Sequence, residues 1–84
     1  MFHKTGAAMS TQKLIAAYML AARKHPESAR AIWAVVPLAD LETESFRLDV
    51  ENWWLYYNPG VLRKLGVEEI ADAIYSLLQP HLYL

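Results

Sequence analysis

The sequence predicts an α+β domain: two N-terminal helices, one antiparallel β-hairpin over about 46–57, a short helix, and a C-terminal helix over about 67–79. Three observations carry this. Apolar residues recur at helical spacing through residues 14–22 and again at Ala29, Ile32, Trp33 and Val36. From Phe46 to Tyr57 the apolar period becomes two, and after Asn58-Pro59 it returns to helical spacing as far as Leu78.

Residues 1–9 lack periodicity and are expected as a flexible tail, leaving 10–84 as a single small domain. Ser10 or Thr11 is a suitable cap for a helix whose broad apolar face is Leu14, Ile15, Ala17, Tyr18, Ala21 and Ala22. That helix should stop near Lys24, because a residue before proline, here His25, is pushed out of the helical region. Pro26 suits the first position of a second helix, and Pro37 should end it. Residues 38–44 then read as an acidic connection with weak structure.

In the hairpin, a two-residue turn at Glu51-Asn52 sets Val50 opposite Trp53, Leu48 opposite Leu55, and Phe46 opposite Tyr57. All six lie on one face, while Arg47, Asp49, Trp54 and Tyr56 lie on the other. A slip of one residue would bury Arg47 and Asp49, so the pattern specifies the register. Asn58 is an N-cap and Pro59 a first helical residue; Gly66 is expected to end that short helix in the left-handed conformation. The last helix starts with Glu68 and Glu69, buries Ile70, Ala71, Ile74, Leu77 and Leu78, and ends near Leu78 because Pro80 cannot continue it.

Composition narrows the functional classes. The 84 residues contain no cysteine, so no disulfide supports the fold, and the expected compartment is cytoplasmic. Arg23 and Lys24 stand where a secretory leader would need small residues. The net charge is −1, from eight Lys/Arg and nine Asp/Glu, with no basic stripe for nucleic acid. The longest apolar run, 14–22, is far short of the ~20 residues that span a bilayer. Apolar residues make up 55% of the chain, above the ordinary ~45–50%, and a partner or a second copy is the natural cover for the surplus.

Leu55-Tyr56-Tyr57-Asn58-Pro59, a short helix, Glu68-Glu69 and an apolar helix leading to His81 resemble a known family. It is the metallopeptidase-like domain that precedes von Willebrand A-like domains in bacterial proteins, and more broadly the front half of minimal zincins. The resemblance implies a hairpin, an Asn-Pro turn and a helix that carries His-Glu-x-x-His. Here that helix ends Leu78-Gln79-Pro80-His81-Leu82-Tyr83-Leu84, with no acidic residue after Asp72 and no second histidine after His81. Zinc hydrolysis needs two histidines one turn apart and a glutamate base. No catalytic, metal-binding or cofactor-binding residue therefore carries over, and the expected relative is a degenerate or truncated one.

The candidate site residues are those for protein interaction: Trp54, Tyr56, Arg47 and Tyr83. Tryptophan and tyrosine dominate interface energetics, and a hairpin also leaves strand edges open. The function expected is a non-catalytic interaction or assembly module on a zincin-like scaffold, forming a homodimer or docking a protein, without nucleic acid or membrane. Two alternatives are a fragment of a metallopeptidase-like domain completed by other residues or chains, and a small accessory or inhibitor protein of phage or mobile-element origin. His3, His25 and His81 are spread along the chain, and Asp40, Glu42 and Glu44 match no calcium-loop spacing.

Overall fold

The computed structural model describes the backbone of residues 2–82 and the side chains of residues 11–82. The protein is α+β, with four helices and a three-stranded sheet. Helix α1 spans Phe2–Lys24. It therefore takes in the segment expected as a tail and begins well before the Ser10/Thr11 cap. A 3₁₀ turn at Pro26–Ser28 leads into α2, Ala29–Ala34. Strand β1 is Val36–Ala39, β2 is Phe46–Asp49 and β3 is Trp54–Tyr57. Helices α3, Pro59–Lys64, and α4, Val67–Leu78, follow, and a 3₁₀ turn at Gln79–His81 places Pro80 just beyond the last α-helical residue.

β1 corrects the sequence reading. Residues 36–39 were expected as a helix end and an irregular connection, but they form a strand parallel to β3, and the sheet order is β1-β3-β2. Val36 N–H donates to Trp53 C=O at 3.0 Å and Asp40 N–H to Tyr57 C=O at 2.8 Å. Along a parallel ladder, Val36, Leu38 and Asp40 therefore turn their backbone toward β3, and Pro37 turns its nitrogen outward. A proline at an edge, facing away from its neighbour, costs no ladder hydrogen bond. That is how a segment containing Pro37 can be a strand.

The hairpin register in the strands is Phe46↔Tyr57, Arg47↔Tyr56, Leu48↔Leu55 and Asp49↔Trp54. The turn is longer than two residues. Val50 to Trp53 lie outside the ladder, and Val50 is 43% exposed rather than packed in the core. Asp49 carboxylate oxygens accept from Asn52 N–H at 3.3 Å and Asn52 Nδ2 at 2.9 Å, closing the wider turn. These bonds hold the Asp49 carboxyl below the usual carboxylate range. Trp53 closes the turn at φ 59°, a left-handed conformation that is uncommon for a bulky residue and costs ~1–2 kcal/mol. Its surroundings offset that cost. The indole packs against the core, its Nε1 donates to Ala31 C=O at 2.9 Å, and its own C=O accepts from Val36. The strained residue thus locks the hairpin to the α2–β1 segment.

The core lies between the helices and one sheet face. Leu14, Tyr18, Ile32, Leu55, Leu62 and Ile74 are among its buried members, with Phe46, Leu48, Trp53 and Tyr57 packed at its margin. Ile70, Ala71, Ile74 and Leu78 form the buried stripe of α4, and Leu77 is half-buried. Tyr18 Oη, buried, donates to Val35 C=O at 3.0 Å, and burial pushes its phenol well above the usual range. Trp33 and Val36, expected on the buried stripe of a longer second helix, are 49% and 46% exposed. The helix ends at Ala34, so the i+7 position never reaches the core.

The β1–β2 connection, residues 40–45, passes over the end of β3 to reach the far edge. Asn58 secures it. Its backbone N–H donates to Ser45 C=O at 2.9 Å, and its Nδ2 donates to Thr43 C=O at 3.0 Å and Leu41 C=O at 3.3 Å. Its Oδ1 accepts from Gly60 N–H at 2.8 Å, capping α3. Asp40 accepts from Glu42 N–H and Thr43 Oγ1, both at 3.0 Å, which lowers its carboxyl from the ordinary range. Gly66 is not left-handed. Its φ is −80° and ψ 164°, and it is the N-cap of α4, with its N–H donating to Glu69 Oε1 at 2.8 Å. No helix among the described residues is long and apolar enough to cross a membrane.

Candidate interaction surface

The helices pack on the Leu55 side of the sheet, and among the described residues no helix covers the opposite face, where Val36, Arg47 and Trp54 are exposed and Leu38, Asp49 and Tyr56 half-buried. Residues paired in register share a face, which sets Val36, Trp54 and Asp49 in one row and Leu38, Tyr56 and Arg47 in the next. Trp54 is 36% exposed. Its ring meets Tyr56 edge-on, with centroids 6.5 Å apart and planes at 86°. The Arg47 guanidinium lies over the Tyr56 ring, 4.2 Å from its centroid. This stack holds the two aromatic side chains and the cation in a fixed arrangement, which lowers the entropy lost on docking.

Three of the four residues expected from sequence, Arg47, Trp54 and Tyr56, are therefore brought together on one face. The fourth, Tyr83, lies outside the described residues.

Sequence reasoning missed a second apolar surface. A groove of about 470 Å³ opens between α1 and β1, lined by residues that include Ile15, Tyr18, Trp33, Val36, Pro37 and Tyr57. Trp33 stands beside Tyr18 with ring centroids 5.6 Å apart, while Ile15 and Met19, one turn apart on α1, are about half exposed. Val36 lines the groove and is also Trp54's neighbour across the parallel ladder. The apolar surface thus continues from the groove around the β1 edge to the open face. Its signal in the sequence is the width of the apolar face on α1, where Leu14-Ile15 and Tyr18-Met19 are too many for one buried stripe.

Among the described residues, no group of three or more histidine, aspartate or glutamate side chains is placed to hold a metal. His81 is half-buried in the final 3₁₀ turn. His25 instead stacks on Tyr75, with centroids 3.5 Å apart and planes 2° from parallel. Glu68 and Asp72 share Lys24, at 3.4 and 3.3 Å, joining the end of α1 to the start of α4. In comparisons with known proteins, no family model, no curated protein and no solved structure matches the chain.

Proposed function

We propose that this chain is a non-catalytic protein-interaction and assembly module, engaging its partner through the open sheet face and a sheet edge. The carrying observation is the preorganised cluster of Trp54, Tyr56 and Arg47 on a sheet face that the helices leave uncovered. Interface energy concentrates in such Trp, Tyr and Arg anchors; Trp54 and Arg47 are exposed, and Tyr56, in contact with both, is half-buried. The zincin-like ancestry belongs to the proposal as a sequence resemblance. It is supported by the order hairpin, Asn58-capped helix, second helix, and by nothing at the level of metal ligands.

Two measurements test it. Affinity capture from the native cell with wild type and with the W54A/Y56A double variant as baits should recover a protein that only wild type retains. After purification, that protein should bind wild type at least about tenfold more tightly than the variant. Identical recoveries from both baits would overturn the docking face. Metal analysis of purified protein should find no stoichiometric zinc. Zinc present at one equivalent and lost on His81→Ala would overturn the non-catalytic reading and favour a metallopeptidase-like fragment.

A further inference from the structure

The two edges of the sheet are not equivalent. The bond from Asn58 N–H to Ser45 C=O fixes the alternation along β2. Arg47 and Asp49 bond to Tyr56 and Trp54, and the backbone N–H and C=O groups of Phe46 and Leu48 point away from β3. Among the described residues these outward groups have no hydrogen-bond partner. At the β1 edge the outward residues are Pro37 and Ala39, and Pro37 has no N–H to offer. An incoming strand therefore finds a full set of donors and acceptors only along β2.

The side chains of β2 also say which strand fits. Arg47 and Asp49 have opposite charge and share the outer face, two residues apart. Consider antiparallel pairing of β2 with β2 of a second copy, about a two-fold axis through Leu48. Arg47 then lies opposite Asp49 of the second copy, and this happens twice. An axis through Arg47 would instead oppose Arg47 to Arg47, which cross-strand repulsion disfavours. The Leu48-centred register also sets Phe46 against Val50 of the second copy. Val50, left 43% exposed at the tip of its own hairpin, gains an apolar cover.

We propose that this chain forms a two-fold dimer by antiparallel pairing of β2 with β2 of a second copy, centred on Leu48. The product is one six-stranded sheet, ordered β1-β3-β2-β2-β3-β1. Across its outer face Tyr56, Arg47, then Asp49 and Trp54 of the second copy form one row, so the docking face doubles in width. The inference rests on the assembly reading and shares Arg47 with the aromatic cluster, but its contacts are the β2 backbone edge and the two Arg47–Asp49 pairs. A contact of so few residues lies at the small end of specific interfaces, so the dimer is a weak, reversible one.

The test uses charge complementation. Arg47→Glu makes the edge wholly acidic and Asp49→Arg makes it wholly basic. Each variant alone should dimerise at least about tenfold more weakly than wild type, measured by sedimentation equilibrium. Mixed, they should form a heterodimer at near wild-type affinity, because both opposed pairs are then complementary. Failure of the mixture to restore association overturns the register. A second measurement needs no variant and decides the matter if Asp49→Arg does not fold. Phe46 and Leu48 amides in wild type should exchange slowly at high protein concentration and quickly on dilution. Wild type that remains monomeric at about 1 mM overturns the dimer altogether. A dimer whose Phe46 and Leu48 amides stay fast at every concentration overturns the edge pairing while leaving the open face as the contact.

Discussion

Replacing Asn58 should loosen two parts of the molecule at once. Its Oδ1 caps α3 through Gly60 N–H, and its Nδ2 holds the 40–45 connection through Thr43 C=O. Loss of an N-cap costs about 1 kcal/mol. Loss of a half-buried amide-to-carbonyl bond costs about 1 kcal/mol more. The exposed bond to Leu41 C=O, at 3.3 Å, adds little. Asn58→Ala should therefore destabilise by about 2 kcal/mol, which lowers the melting temperature by roughly 8–16 °C for a chain of this size. In urea, with a slope of about 1 kcal/mol/M, the midpoint should fall by about 2 M. Asn58→Asp separates the two parts. It keeps an acceptor for Gly60 N–H beside the positive end of the helix but loses the donor to Thr43, so it should fall between wild type and Asn58→Ala. Equilibrium urea unfolding of the three proteins checks this. Asn58→Ala within about 0.5 kcal/mol of wild type refutes the dual role, and equal losses for both variants refute the division between cap and loop anchor.

Gly66→Ser should stabilise by roughly a few tenths of a kcal/mol, since Gly66 has an N-cap conformation and a serine hydroxyl would complete a capping box with Glu69. A left-handed Gly66 would give a loss instead, so the sign of the thermal shift decides. Trp53→Phe should cost about 1 kcal/mol, because the bond to Ala31 C=O is lost while most ring packing remains, and protection of the Val36 amide should fall with it. The W54A/Y56A variant should lose about 1–2 kcal/mol, from the edge-on ring pair and the Arg47 contact, because Trp54 is 36% exposed and Tyr56 half-buried; a loss of about 5 kcal/mol or more would mark them as core residues. Tyr18 has a raised phenol pKa in the fold, so its contribution is complete below the unfolded value near 10 and is lost as pH rises above it. Stability should decline above about pH 10, and Tyr18→Phe should reduce the slope by about 1.4 kcal/mol per pH unit. At the acid end, Asp40 and Asp49 are held below the ordinary range, so their contributions are present above it and fade as pH falls through it; Asp49→Asn should flatten that limb in pH-dependent melting.

How much of this could be read from the chain varies by element. The last helix is legible in its start, its stop and most of its stripe, because Glu68-Glu69, the 70/71/74/78 spacing and Pro80 all act locally; Leu77, expected in the stripe, is only half-buried. The strand pairing around Leu48 and Leu55 was legible because only one register hides the apolar set. The turn was not, since its four residues close through Asp49 to Asn52 bonds and Trp53 takes a backbone conformation its side chain alone disfavours. Gly66 is ambiguous in the sequence, because a glycine between two helices suits either a left-handed stop or an extended start, and the bond to Glu69 decides for the start.

By itself the sequence determined the class of the fold, the faces of the paired strands 46–49 and 54–57, the Asn58 cap, and the placing of Arg47, Trp54 and Tyr56 together. All of these follow from period, capping chemistry and the cost of burying charge, which act within a dozen residues. Only the tertiary structure decided that residues 36–39 are a strand, that Trp33 and Val36 stay outside, and that β2 rather than β1 presents the complete edge. The reason is the parallel ladder between β1 and β3. Its partners come from separate parts of the chain, and Pro37 is acceptable there only because its nitrogen faces away from β3, which no local pattern specifies.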